Sequence, residues 1–265
     1  MEPLTRNVRL RLTQGVVFWR EVGHGVPIIF LHGNWQDSVQ WDGLLQRLGD
    51  RHHGLALDLL GFGESDRPRR RYSVDLEVQV LMEWLEQLRI GSAFFVAEGI
   101  GAWVATQLAL QYPQQVAGLV LMDPEGVSTK RDRWRRQRWL AGRLPLAGLG
   151  LQAIAPLVRW FRWRKAQHWL AELRQLQRRP AACQILFRRS RKAIKAEVVN
   201  EQIGSLKVPM LLFQADDASP DTSACNRIYA TAPFSEQMLL PVGTAAEQDE
   251  AIAQTIHQWI AQKFV

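Results

Sequence analysis

The chain has 265 residues, of which 47% are hydrophobic and 22% are charged, a composition typical of an ordinary globular protein. This length favours one core that carries a large insertion over two independent domains. The two cysteines, Cys183 and Cys225, have no partner at a metal-ligand spacing, which argues against a disulfide framework and against a zinc site. We therefore expect no metal and no cofactor.

The charge is unevenly distributed along the chain. The net charge is +7, but residues 128–200 contain 19 Lys+Arg and 3 Asp+Glu, a net charge of +16. This one segment holds all the excess positive charge, which indicates a local surface for a polyanion or an acidic partner. Residues 1–6 lack a basic region followed by an apolar stretch, so no secretory signal is predicted and a cytoplasmic location is expected.

The first predicted elements are the two strands of an antiparallel hairpin, at residues 8–12 and 15–22. Continuous apolar runs follow, as expected for strands that are buried on both faces. Stretches with apolar residues at helical spacing lie between most of these runs, at residues 76–88 and 103–110. This alternation predicts a mostly parallel, doubly wound α/β sheet. The apolar runs are residues 27–31, 55–58, 94–97, 118–123 and 210–213.

Residues 127–205 interrupt the alternation of strands and helices. They are predicted to form a basic, Trp-rich helical cap, while residues 1–126 and 206–265 form the core. The segment contains no low-complexity linker, so we expect it to pack on the core.

Four motifs link this chain to a known fold. They are residues 30–34 (FLHGN) with Trp41 downstream, residues 57–65 (LDLLGFGES), residues 119–124 (LVLMDP) and Val208-Pro209. With these motifs the chain resembles the α/β-hydrolase superfamily, of the kind with a helical cap inserted between core strands six and seven. The resemblance covers the whole predicted core.

The nucleophile of that superfamily lies on a sharp turn between a strand and a helix, written small-x-nucleophile-x-small. Residues 97–101 read Ala-Glu-Gly-Ile-Gly, so Gly99 stands at the nucleophile position. Members of the superfamily place Ser, Cys or Asp there for covalent attack, and glycine has no side chain that could attack. The resemblance therefore implies that ordinary Ser-His-Asp hydrolysis is lost.

The two other triad positions also depart from the superfamily pattern. The resemblance implies a histidine after the last strand, and Thr244 stands in its place. It implies an acid after the penultimate strand, which matches Asp217. Without a histidine to orient, this carboxylate has no catalytic role. Gly99, Asp217 and Thr244 are therefore interpreted as vestigial triad positions.

A pocket above Gly99 is expected in spite of these losses. The resemblance implies that the oxyanion hole is formed by backbone N–H groups, here those of Asn34 and Ile100. Gly33 and Glu98 are expected to line the same pocket. Glu98 is the candidate for a substitute nucleophile or base, although it holds a variable position that is often polar.

The predicted cap mixes arginine with tryptophan on both sides of the uncharged residues 144–158. These fifteen residues fall short of the ~20 needed to span a bilayer, and such a pattern is typical of a segment that lies at a membrane interface. One alternative is an ordinary lipophilic cap with a solvated basic exterior. Nucleic acid is disfavoured because no recognition motif accompanies the charge. The residues assigned to this surface are Arg133, Trp134, Arg135, Arg136, Trp139, Trp160, Arg162, Trp163 and Arg164.

Together these features predict a catalytically inactive α/β-hydrolase homologue. We expect it to bind a lipophilic small molecule, or to dock through its basic cap on an anionic membrane surface or an acidic protein. Its expected location is cytoplasmic, including a peripheral position on the inner face of a membrane. The alternative is a hydrolase or lyase of a small lipophilic substrate that uses Glu98 or Asp217 in place of the normal triad.

Overall fold

The computed structural model describes residues 4–129, 134, 137–138, 174–215, 218–240 and 243–263. Eight strands lie in these ranges: β1 Arg6–Leu12, β2 Gly15–Val22, β3 Val26–Leu31, β4 His52–Asp58, β5 Ala93–Glu98, β6 Val116–Met122, β7 Met210–Gln214 and β8 Ser235–Leu239. They form one sheet in the order β1-β2-β4-β3-β5-β6-β7-β8.

The pairing of these strands confirms the predicted α/β class. β1 and β2 form the antiparallel hairpin, from Arg6 opposite Glu21 to Leu12 opposite Gly15. β2 is also antiparallel to β4, and every later pair is parallel. The five apolar runs coincide with β3 to β7. The edge strand β8 was not predicted, because most of its side chains are exposed and it lacks an apolar run.

The described helices lie between these strands, except that the last one follows β8, and the two that were predicted are present. α2 begins earlier than its apolar pattern, because the Ser73 side chain accepts a hydrogen bond from the Leu76 N–H and caps the helix. The described helices are α1 Asp42–Leu48, α2 Val74–Gln87, α3 Gly99–Gln111, α4 Pro180–Cys183, α5 Arg191–Glu197, α6 Pro220–Tyr229 and α7 Ala245–Lys263.

Alternate residues of the central strands face opposite sides of the sheet, and a separate core lies on each side. In β3, Ile29 and Leu31 belong to the core that contains α2 and α3, whereas Ile28 and Phe30 belong to the core that contains α1 and α7. A strand covered on both faces needs apolar residues at every position. This is the reason why β3 to β7 read as continuous apolar runs.

The insertion leaves the sheet after β6 and returns at β7, as the superfamily resemblance implies. Its two ends are tied together, since the Ser128 N–H donates to Asn200 Oδ1 over 2.7 Å and the Val199 N–H donates to the Gly126 carbonyl over 2.9 Å. Within the described part of the insertion, α4 and the π-helical turn Gln184–Arg188 are buried against the α2/α3 core. The boundaries 1–126, 127–205 and 206–265 remain a prediction.

Within the described ranges, no helix has the length and apolar character that a bilayer span requires.

Candidate functional site

Gly99 lies on the turn from β5 into α3, with φ +53°. Glycine adopts this left-handed conformation without steric cost. A Cβ built on Gly99 would lie 2.6 Å from Oδ1 of Asn34. Gly101 packs just as closely on β3, where a Cβ would lie 2.5 Å from the carbonyl oxygen of Leu31. The elbow is therefore present in the backbone, but the space that a nucleophile needs is occupied.

The group in that space is the side chain of Asn34. Its Oδ1 accepts a hydrogen bond from the Ile100 N–H over 2.8 Å. The Ile100 N–H is one of the two donors expected to form an oxyanion hole. The expectation that the Asn34 and Ile100 N–H groups are both free therefore needs correction, because the side chain of Asn34 accepts the hydrogen bond of the Ile100 N–H.

Glu125 holds Asn34 in this position. Its Oε1 accepts a hydrogen bond from Asn34 Nδ2 over 3.0 Å, and its Oε2 accepts one from Trp134 Nε1 over 3.4 Å. The main chain of Glu125 is fixed as well, since its N–H donates to the Gly99 carbonyl and its carbonyl accepts from the Tyr229 hydroxyl. The side chain and the main chain of Glu125 together link the cap residue Trp134 to the elbow at Gly99.

Sequence reasoning did not select Glu125, although a signal for it exists. Glu125 lies three residues after the end of β6, and the carboxyl ends of parallel strands meet at the edge of the sheet where sites form. Gln40 was also missed. It lies in the 3₁₀ turn Ser38–Trp41, which no periodic pattern marks.

Glu98 lies beside the elbow in a polar pair with Gln40. Its Oε2 accepts a hydrogen bond from Gln40 Nε2 over 2.8 Å, and Gln40 Oε1 accepts one from the Gly33 N–H. Gly33 leaves room for this carboxyl, because a Cβ there would lie 2.6 Å from Glu98 Oε1. Burial raises the pKa of Glu98, the hydrogen bond from Gln40 opposes the rise, and the charge of Asp123 adds to it. Glu98 thus favours the protonated form more than a solvated glutamate does.

Thr244, the residue predicted to replace the superfamily's histidine, caps α7. Its N–H and its hydroxyl both donate to Glu247 Oε2, over 2.8 Å and 2.9 Å. Both residues are exposed. The hydrogen bonds from the Thr244 backbone and hydroxyl hold the pKa of Glu247 below its ordinary value. Asp217 lies outside the described residues.

His32 lies next to the elbow, where its carbonyl accepts the Gly101 N–H over 3.2 Å, and both of its ring nitrogens are occupied. Nε2 accepts a hydrogen bond from the Leu59 N–H, so Nδ1 carries the proton and donates to the Gly33 carbonyl over 2.9 Å. The ring is fully buried, and burial lowers the pKa of His32. It is therefore held neutral as part of the core and has no free nitrogen to act as a base.

The sequence interpretation placed Trp134 on a surface for a membrane or a partner, and the structure places it inward. Its ring centroid lies 6.0 Å from that of Trp35 and 5.9 Å from that of Phe187. Trp134 and Trp35 both remain partly exposed, so the assignment of Trp134 to that surface stays a prediction. The other residues assigned to that surface lie outside the described residues: Arg133, Arg135, Arg136, Trp139, Trp160, Arg162, Trp163 and Arg164.

A cavity of about 370 Å³ lies next to Glu125, between the loop after β6 and the described part of the insertion. Its apolar lining includes Trp103, Leu186, Ile194 and Val198. Arg191 and Lys195, one turn apart on α5, supply positive charge to the same lining. This combination suits a ligand with an apolar body and an acidic group.

Comparison with known proteins identifies related chains. A model of the alpha/beta hydrolase family matches residues 28–263. A haloalkane dehalogenase of Agrobacterium fabrum is 31% identical over 104 residues, which cover 39% of this chain and 34% of that protein. The 1-acylglycerol-3-phosphate O-acyltransferase ABHD5 of Mus musculus is 28% identical over 148 residues, which cover 54% of this chain and 42% of that protein. The chain thus spans less than half the length of each relative.

The fold is also similar to solved structures along almost its whole length. A haloalkane dehalogenase, DbeA from Bradyrhizobium elkani, superposes with a TM-score of 0.74 at 22% identity, covering 98% of this chain and 99% of that one. A thermophilic esterase from Thermogutta terrifontis has a TM-score of 0.71 at 21% identity, covering 98% and 100%. At these identities the similarity concerns the fold alone.

Proposed function

The chain belongs to the alpha/beta hydrolase family, and on that premise we propose that it is a non-catalytic member that binds a lipophilic ligand. The observation that carries this proposal is the side chain of Asn34, which lies above Gly99 and accepts the Ile100 N–H. A nucleophile at position 99 and an oxyanion at Ile100 would both need the space that this amide fills. Gly99 is therefore suited to a site in which the Asn34 side chain fills the space above the elbow.

Two further features support the loss of hydrolysis. Thr244, at the position of the base, is engaged in capping α7. His32 is buried with both nitrogens bonded. Nucleophilic catalysis requires an activated nucleophile with a base in reach, and neither is present at the family positions 99 and 244.

The test of this proposal is a panel of short-chain and long-chain acyl esters together with a serine-reactive fluorophosphonate probe. We expect no turnover above the uncatalysed rate and no labelling of the wild-type protein. Turnover that disappears in a Glu98→Gln variant with an unchanged circular dichroism spectrum would contradict the proposal. It would instead support an enzyme in which Glu98 activates water, the alternative that the raised pKa of Glu98 favours.

The cavity beside Glu125 supports a ligand class for this protein. Apolar side chains line its body and three cations, Arg138, Arg191 and Lys195, line the same space, which favours an amphiphile with a carboxylate or phosphate group. The mouse relative is named for 1-acylglycerol-3-phosphate, a molecule of this class. We extend that chemistry to this chain as part of the proposal.

Dodecanoate serves as a simple probe of this cavity. We expect it to bind the wild-type protein in calorimetric titration, and Arg191→Gln/Lys195→Gln to weaken binding about tenfold, because the carboxylate loses its cationic partners (about 1.4 kcal/mol). The matched control is Lys207→Gln/Arg227→Gln, which removes two exposed cations elsewhere and should leave the affinity unchanged. An equal loss of dodecanoate affinity in both double variants would indicate unspecific attraction by the net charge. It would contradict the assignment of Arg191 and Lys195 as partners of the carboxylate.

Docking of the cap on an anionic membrane or an acidic protein is a second part of the proposal. It rests on the sequence, through the net charge of +16 in residues 128–200 and the Arg and Trp residues within them. The arginines and tryptophans that the sequence assigns to this surface would make the contact.

A further inference from the structure

A second cavity, of about 680 Å³, lies apart from the elbow and shares no lining residue with the cavity beside Glu125. It lies between β2, the turns that follow β3 and β4, and the segment that leads into α4. Its lining includes four arginines: Arg20, Arg67, Arg178 and Arg179. Nothing in the proposed function uses these residues.

The acidic residues of this cavity are already compensated by other groups. Asp58 accepts hydrogen bonds from the backbone N–H groups of Ser38 and Glu64, over 2.6 Å and 2.7 Å. Asp37 forms an ion pair with Arg179 over 3.1 Å. Glu64 pairs with Arg9, which lies outside the lining. Among the described residues, none of these three carboxylates forms an ion pair with Arg20, Arg67 or Arg178.

The three remaining arginines retain unused hydrogen-bond donors. Arg67 donates from one terminal nitrogen to the Gly63 carbonyl. Arg20 approaches Asp42 at 3.7 Å, and its Nε is buried with no hydrogen-bond partner among the described residues. Arg178 makes neither an ion pair nor a hydrogen bond within the part of the chain that the structure describes. Each guanidinium carries five N–H donors, so most of them face the cavity or solvent unpaired.

A buried hydroxyl completes the donor set. Ser38 lines the cavity and is 1% exposed, and its Oγ has no hydrogen-bond partner in the described ranges. A buried polar atom without a partner costs free energy unless a ligand or water satisfies it. The hydroxyl therefore indicates where an acceptor atom would be bound.

We propose that this cavity binds a dianionic phosphate group, either as a free phosphate monoester or as the headgroup of a lipid. Guanidinium groups match the tetrahedral oxygens of phosphate with paired N–H donors, and several of them around one ion favour a dianion over a carboxylate. The volume lies within the range of about 300–1,000 Å³ that is typical of small-molecule sites. Ser38 supplies a neutral donor for the fourth oxygen.

The test is calorimetric titration of the full chain with inorganic phosphate and with glycerol 3-phosphate. The wild-type protein is expected to bind at least one of them, and Arg67→Gln/Arg178→Gln to bind it at least tenfold more weakly. The control, Lys207→Gln/Arg227→Gln, lowers the net charge equally at exposed positions outside the cavity and should bind as the wild type does. Equal binding by all three proteins, or weakening by both double variants alike, would overturn the site.

Vesicles distinguish the two sources of the phosphate. Co-sedimentation with phosphatidylcholine vesicles that contain phosphatidic acid, lost in Arg67→Gln/Arg178→Gln and kept in the control, would support a lipid headgroup. Binding of glycerol 3-phosphate in solution, with no difference between vesicles with and without phosphatidic acid, would support a free phosphate monoester. Failure of the wild-type protein to bind phosphate in either form at millimolar concentration would overturn the proposal, and it would leave dodecanoate binding at the other cavity unaffected.

Discussion

Gly99→Ala is expected to lower the free energy of unfolding by about 2–5 kcal/mol. Two costs contribute to this loss. An L-residue at φ +53° costs about 1–2 kcal/mol, and the new Cβ, 2.6 Å from Asn34 Oδ1, displaces an amide that bonds Ile100 and Glu125, at about 1–3 kcal/mol. Urea denaturation of both proteins measures the difference.

A double-mutant cycle with Asn34→Ala separates the two costs. In the Asn34→Ala background the amide is absent, so Gly99→Ala should cost only the strain, about 1–2 kcal/mol. Gly91→Ala is the matched control, because a Cβ there meets no atom within 4 Å. Additive effects of the two substitutions would show that Asn34 does not fill the space above Gly99.

The same geometry predicts the outcome of restoring a hydroxyl at the elbow. Gly99→Ser places its Cβ against Asn34, and the Ile100 N–H is already bonded to that side chain. The substitution restores a nucleophile atom but neither the base nor the oxyanion donor. Hydrolysis should therefore remain absent, in agreement with the proposed loss of activity.

Glu77 is expected to make the protein less stable as the pH rises from about 4.5 to about 8. It is fully buried in α2, where its Oε2 accepts the Leu60 N–H, and burial raises its pKa from 4.5 to about 8. The folded state therefore keeps a proton that the unfolded chain releases above about pH 4.5. This contribution is fully present below that pH and is lost as the pH rises through 8, at up to about 1.4 kcal/mol per pH unit.

Glu77→Gln should remove this dependence on pH. Glutamine is neutral at every pH and keeps an oxygen that accepts the Leu60 N–H. We expect similar stability of the two proteins at pH 5 and a variant that is more stable by about 2–4 kcal/mol at pH 9. Urea denaturation across this pH range measures the difference, and Glu86→Gln, at an exposed position of the same helix, is the control. A constant difference between wild type and Glu77→Gln would contradict a buried, protonated Glu77.

Some site features had a sequence signal that was available but not used. Thr244-Ala245-Ala246-Glu247 has the spacing of a capping box, which predicts the start of α7. Glu125 follows a buried strand at the edge where sites form. By contrast, nothing in its own context indicates that the ring of Trp134 packs inward on Trp35 and Phe187 rather than toward a partner.

The sequence by itself determined the class of the fold, and it predicts the loss of the nucleophile. Strand and helix patterns depend on residues two to four positions apart, so the hairpin, the strands β3 to β7 and the small-residue elbow around Gly99 are visible in the local order of residues. Only the tertiary structure decided what fills the site. Asn34 meets Ile100 across 66 positions and Glu125 across 91, and which amide or carboxylate reaches such a partner depends on how the strands pack. For the same reason, the arginines of the 680 Å³ cavity, from β2 to the start of α4, become neighbours only in the folded chain.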